Sequence, residues 1–198
     1  MRTGEMKKEI DLQLPAVLGM DLSGVVRKVG SSVRSLKPGD CVFGRQTAER
    51  LAAGRGGSFA EWCVVNATDL CIKPEKLSHE QAAACPTSAM TALAALTAGG
   101  LERTATSASG SKRVVIIGGS GGVGSFALQM AKAYFEAKTV VVVCSAAHED
   151  MVVKLGADDV VDYTHPKWKD RTRKWRNFDL VVDCVGLDDY WEVFGRQV

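Results

Sequence analysis

The stretch Arg113-Val-Val-Ile-Ile-Gly-Gly-Ser-Gly-Gly-Val-Gly-Ser-Phe-Ala-Leu-Gln-Met-Ala-Lys132 constrains this chain more than any other, because it reads as strand, glycine turn and helix in immediate succession. Residues 114–117 form an unbroken β-branched run, the pattern of a strand buried on both faces of a parallel sheet. Beyond the turn, Val123, Phe126, Ala127, Met130 and Ala131 line one apolar side of a helix. Between the two lies Gly119-x-Gly121-x-x-Gly124. In such a motif the first glycine permits the tight turn and the second lets backbone approach a pyrophosphate. The third lets helix pack closely on strand, while the helix N-terminus offers free N–H groups to anionic oxygens.

Downstream, strand and helix take turns. Strands are predicted over 139–144, 160–162 and 178–183, and helices over about 149–155, from about 166 and from about 189. That alternation specifies an α/β fold, a parallel sheet with crossover helices. Upstream the pattern differs. Residues 1–14 read as a polar lead-in, and from Pro15 onward short strands are predicted over 18–30, 41–44, 58–65 and 70–73. Lys37-Pro-Gly-Asp40 is a turn signal, and 45–57 reads as a loop or a loop with one helical turn. At Ser78 the period switches from 2 to 3.6: Ser78-x-x-Gln81 has capping-box form, Pro86 interrupts or restarts the helix, and an alanine-rich run ends at Gly99-Gly100. Residues 102–112 read as a loop.

Composition excludes several classes. A net charge of +2 over 198 residues points to no polyanionic partner, and no apolar run reaches the length of a membrane span. The charged opening residues lack the apolar core of a signal peptide, so nothing points to secretion. The chain's six cysteines lie far apart, with no CxxC pair, and read as reduced core thiols. Cations and aromatics interleave in residues 167–176, but Trp168 and Trp175 are seven apart on one helical face. The stripe reads as packing with solvated cations, and no nucleic-acid partner is expected. His79 and His165 read as structural residues at a helix start and a turn.

Together, Gly19-Met-Asp-Leu-Ser-Gly-Val-Val, Lys37-Pro-Gly-Asp40, Gly57-Ser-Phe-Ala-Glu61, Thr91-Ala-Leu-Ala-Ala-Leu96, Gly119-Ser-Gly-Gly-Val-Gly124, Lys154-Leu-Gly-Ala-Asp158, Val161-Asp-Tyr163 and Phe178-Asp-Leu-Val-Val-Asp183 resemble the medium-chain dehydrogenase/reductases. Within that superfamily the resemblance is to the zinc-free quinone oxidoreductase branch that includes zeta-crystallin. It implies a partial Rossmann doubly wound parallel sheet over residues 78–198, preceded by an incomplete β-rich GroES-like domain over 1–77. It also implies that the family's chain begins some tens of residues earlier and continues past the fourth Rossmann strand, so this sequence looks truncated at both ends.

The activity implied is NADPH-dependent hydride transfer to a quinone or an α,β-unsaturated carbonyl, with a truncated, non-catalytic form acting through protein contacts as the alternative. The expected cradle is Gly119, Ser120, Gly121, Gly122, Val123 and Gly124. NAD enzymes place an acid at the end of the second Rossmann strand, where this chain has Cys144-Ser145; a 2'-phosphate is therefore tolerated. The resemblance implies that Ser145 and Tyr163 bind that phosphate, and His148 stands where relatives often have a cation. It places Thr91 near the nicotinamide and Val185-Gly186 where the cofactor passes. Met20 occupies the position of a zinc-binding His in zinc-dependent relatives, and about Thr87 that of their Cys, so no metal is expected. No general acid or base declares itself. A small-molecule partner, a homodimer and an intracellular setting, cytoplasmic or mitochondrial, complete the expectations.

Overall fold

The computed structural model describes residues 15–53, 56–103, 111–172, 177–186, 190 and 193–194. The chain divides into two compact units after Thr87.

In the first unit, strands β1 (Asp21–Val25), β2 (Cys41–Arg45) and β3 (Leu70–Ile72) form an antiparallel sheet in sequence order. Ser23 lies opposite Phe43, and Phe43 opposite Cys71. The Lys37-Pro-Gly-Asp40 turn closes the β1–β2 connection, with Gly39 N–H bonded to Val26 O and Asp40 accepting from both Lys37 N and Lys37 Nζ. Of the two readings of 45–57, the structure has the loop with a helical turn, α1 (Ala48–Ala52), capped by Thr47. Helix α2 (His79–Ala83) carries both halves of its capping box, Ser78 with Gln81. It stays with the first unit: Nδ1 of His79 meets the Ser23 hydroxyl at 2.8 Å.

One strand expectation fails. The predicted 58–65 strand has no ladder; its start is held by Gly57 and Phe59 N–H bonding Val17 O and Leu18 O, and Val64 O accepts from the Arg50 guanidinium. Alternation alone cannot make a strand without a partner row, and Phe59, Trp62 and Val64 are 77%, 65% and 73% exposed. The 18–30 prediction shrinks to β1 for the same reason. The core-thiol expectation is also corrected. Cys144 is buried and Cys85 and Cys184 are half-buried, but Cys41, Cys63 and Cys71 are exposed, because this three-stranded sheet buries little of its surface.

The second unit carries the parallel sheet. Helix α3 (Pro86–Ala98) starts on the last residues of the first unit. It is followed by β4 (Arg113–Ile117), α4 (Gly122–Gln129, continued by a π turn over Met130–Tyr134) and β5 (Thr139–Cys144). Next come α5 (Glu149–Lys154), β6 (Asp159–Asp162), the short α6 (Trp168–Arg171) and β7 (Leu180–Asp183). The sheet order is β6-β5-β4-β7, all parallel. Alternating side chains serve opposite faces, as the β-branched runs require. Val114, Ile116, Val140 and Val142 pack with Ala92 and Leu96 of α3 and Leu128 of α4. Val115, Ile117, Val141 and Val143 pack on the other face with Phe178, Tyr190 and Phe194, and Trp168 leans against that cluster. Each such fully buried valine contributes about 1.5–3 kcal/mol.

Two motif carboxylates belong to the amino ends of the strands and are structural. Asp158 accepts from Val140 N and pairs with Lys132 at 3.0 Å, and Asp179 accepts from Arg113 N. His165 is a turn residue as expected, its Nδ1 accepting from Lys167 N. The lead-in over 1–14, most of the 102–112 loop and Trp175 lie outside the described residues.

Candidate nucleotide-binding site

The chain runs outward from β4 through β5 to β6, then returns to β4's other side as β7. The order therefore reverses at β4, and the crevice beyond the carboxyl ends of β4 and β7 is where doubly wound sheets bind ligands. The glycine turn stands there. Gly118 and Gly119 N–H both bond Val143 O, and Gly121 N–H bonds Gly118 O. A β-carbon on Gly119 would overlap Val142 Cγ1, and one on Gly124 would overlap the Gly118 carbonyl oxygen. These two glycines are what lets strand, turn and helix close on one another.

Gly121 differs. A β-carbon there meets only Gly118 O, at 3.3 Å, and both Gly121 and Gly122 are exposed. The outer face of the turn is therefore open. Gly121 is also the N-cap of α4 and provides no side-chain cap, so the N–H groups of the first turn, Gly122 and Val123 among them, have no helical acceptor. Open space with convergent N–H donors at a helix N-terminus fits a diphosphate.

Gly118 was not singled out by sequence reasoning, although the Gly-Gly doublet after the strand is its signal. Its φ is +74°, in the left-handed region, and a β-carbon there would stand 2.7 Å from Val185 Cγ2. The β4 and β7 termini thus meet through Gly118 and Val185. The N–H groups of Val185 and Gly186 are engaged, both donating to Asp183 Oδ1 at 2.8 and 2.9 Å. What Val185 can offer a ligand is its exposed side chain.

Ser145 and His148 follow the end of β5, and Tyr163 follows the end of β6. Ser145 is half-buried and precedes a helical turn, Ala146–His148, with His148 N–H bonded to Ser145 O. Tyr163 N–H bonds Cys144 O; its ring is 44% exposed and packs edge-on against Tyr190. Asp162, which sequence reasoning did not single out, lies among them. Its Oδ1 accepts from Thr164 Oγ1, Thr164 N and Ala146 N, and these bonds, the Thr164 hydroxyl foremost, hold its carboxyl below the usual range. Burial, with Glu149 and Asp162 nearby, pushes the Cys144 thiol up to about 11. Thr91 is exposed on α3. Among the described residues no cluster of His, Cys, Asp or Glu could hold a metal ion, and no helix is long and apolar enough to cross a membrane.

In the first unit, the Asp21 carboxylate accepts from Thr87 N at 3.0 Å and Thr87 Oγ1 at 2.6 Å, next to Met20, whose carbonyl accepts from Gln46 N.

Residues 1–75 match the alcohol dehydrogenase GroES-like domain, and residues 122–194 match the zinc-binding dehydrogenase family. The chain is 41% identical over 175 residues to the mitochondrial NAD(P)H oxidoreductase RTN4IP1 of Danio rerio, covering 88% of this chain and 43% of that protein. It is 38% identical over 183 residues to the chloroplastic NADPH-dependent alkenal/one oxidoreductase of Arabidopsis thaliana, covering 92% of this chain and 45% of that one. Among solved structures, the quinone oxidoreductase of Coxiella burnetii superposes with a TM-score of 0.79 at 30% identity, covering 96% of this chain and 56% of that one. The chain thus spans less than half the length of these two curated relatives.

Proposed function

This chain belongs to the medium-chain dehydrogenase/reductase superfamily, and from that premise we propose that it binds NADPH and serves zinc-independent reduction of a quinone or α,β-unsaturated carbonyl. The observation that carries the reading is the open glycine turn at the sheet's reversal point, with Ser145 rather than an acid at the end of β5. In this reading residues 1–77 serve the substrate and residues 78–198 the nucleotide.

When bound, the dihydronicotinamide supplies the hydride. The chain's own residues bind and orient it. The N–H groups of Gly122 and Val123 face the diphosphate, with Gly121 letting it approach and Gly119, Ser120 and Gly124 shaping the turn. Ser145, His148 and Tyr163 gather at the 2'-phosphate, and the neighbouring Asp162 turns its Oδ1 to three donors of its own. Val185 and Gly186 wall the crevice on the β7 side, and Thr91 faces the nicotinamide. Zinc independence is supported by Met20, a poor partner for zinc, and by Asp21, whose Oδ1 is occupied by Thr87.

The test is titration of the chain with NADPH, followed by nicotinamide fluorescence and by thermal shift, with NADH as control. Saturable binding with NADPH the tighter ligand is the expected result, followed by enone-dependent loss of dihydronicotinamide absorbance. No response to either nucleotide at millimolar concentration would sink the reading.

A further inference from the structure

We propose that Ser88 is an additional ligand of the bound nucleotide, donating a hydrogen bond from its hydroxyl to a diphosphate oxygen at the glycine turn. This rests on the reading of the turn as a dinucleotide site and assigns to it a side chain from a different helix. Ser88 is the third residue of α3, in the second unit. The stripe of α3 that packs into the core runs through Ala92 and Leu96, both fully buried, and one turn earlier it reaches Ser88. At that point α3 passes the start of α4: a β-carbon placed on Gly122 would stand 2.9 Å from Ser88 Oγ.

The hydroxyl is thus held against the residue whose N–H heads the first turn of α4. It is half-buried and makes no hydrogen bond among the described residues. Ser88 stands in the first turn of α3, and its hydroxyl caps no backbone group among the described residues. Of the other hydroxyls at the turn, that of Ser120 belongs to the turn itself and that of Ser125 is already committed to Gly122 O at 3.0 Å. The free donor, the uncapped N–H groups and the open outer face of Gly121 converge on one place, and an anionic oxygen is the acceptor that satisfies them together. A β-carbon at residue 122 would make the serine hydroxyl turn aside, so glycine there leaves the hydroxyl in place.

The experiment compares Kd for NADPH and for NADH among the unmodified chain, Ser88→Ala, Ser88→Asp and Ser125→Ala, with the melting temperature of each nucleotide-free chain as the folding control. Ser88→Ala is expected to weaken both nucleotides by about 10-fold, leaving their ratio unchanged, because the contact is to the diphosphate and not to the 2'-phosphate. Ser88→Asp is expected to abolish binding of both, and Ser125→Ala to stay within about 2-fold of the unmodified chain. Ser88→Ala binding as tightly as the unmodified chain overturns the proposal while leaving the nucleotide site standing. A weakening confined to NADPH overturns it as well, by moving the contact to the 2'-phosphate. An unmodified chain that binds neither nucleotide overturns the dinucleotide reading, and the serine's role with it.

Discussion

The carboxylate of Asp21 accepts both the backbone N–H and the hydroxyl of Thr87, at 3.0 and 2.6 Å, and so ties β1 to the last residue of its own unit. Both residues are half-buried, which makes these charge-assisted bonds worth more than surface ones. Asp21→Ala is expected to lower stability by about 2 kcal/mol and Asp21→Asn by about half of that, since the amide oxygen can still accept. Chemical denaturation of the two variants checks the ranking. An Asp21→Ala chain as stable as the original would show the pair to be idle.

The same pair bears on metal. Zinc would find Asp21 Oδ1 already engaged by Thr87, and a thioether, Met20, beside it where a stronger ligand is needed. Exhaustive chelation is therefore expected to leave the melting temperature and the NADPH affinity unchanged. A chelator-induced drop in either, restored by zinc, would contradict this.

At the end of β5 the argument is electrostatic. Ser145 makes no hydrogen bond through its hydroxyl among the described residues, and Glu149 and Asp162 already lie close enough to raise the Cys144 thiol. A third carboxylate there would meet a 2'-phosphate directly while offering an acceptor to a ribose 2'-hydroxyl. Ser145→Asp is expected to weaken NADPH by about 10-fold or more and to strengthen NADH. Glu149→Gln, which removes a repelling charge, is expected to tighten NADPH alone. Paired titrations at low and high salt check both, because screening should shrink each effect.

The parallel sheet was legible because runs such as residues 139–144, buried almost throughout, leave no alternative to a two-sided core. The first unit was less legible. Residues 58–65 alternate as a strand would, yet pairing depends on a neighbour that no local pattern announces. The site divides in the same way. Gly119, Gly121 and Gly124 signal their roles by spacing, whereas Ser88 and Asp162 acquire theirs only when α3 is laid beside Gly122 and β6 beside Ala146.

Cys144 gives a pH signature. Burial first, then Glu149 and Asp162, raise its thiol from 9.0 to about 11, so the folded chain keeps a proton that the unfolded chain loses over that range. The stabilisation is fully present below pH 9 and is lost as pH rises toward 11. Stability measured across that window should fall, and Cys144→Ala should flatten the fall despite lowering stability at neutral pH. At mildly alkaline pH a thiol reagent is expected to modify the exposed Cys41 and Cys71 quickly and to reach Cys144 only on unfolding.

Two glycines of the turn separate folding from binding. At Gly124 an added methyl would be driven into the backbone of Gly118 and Gly119, which cannot move without opening the contact between β4 and α4. Gly124→Ala is expected to cost about 3 kcal/mol and to lose nucleotide binding along with the fold. At Gly121 the backbone is extended, at φ −77° and ψ 176°, and a methyl would meet only Gly118 O at 3.3 Å. Gly121→Ala should therefore melt close to the original chain, yet its methyl would stand on the open face where the diphosphate must come. Its NADPH affinity is expected to fall by about 100-fold at nearly unchanged stability, since the lost approach costs several hydrogen bonds to charge at once. If Gly121→Ala bound NADPH normally, the diphosphate would lie elsewhere than on this turn; if it unfolded, the open face of the turn would be wrongly drawn.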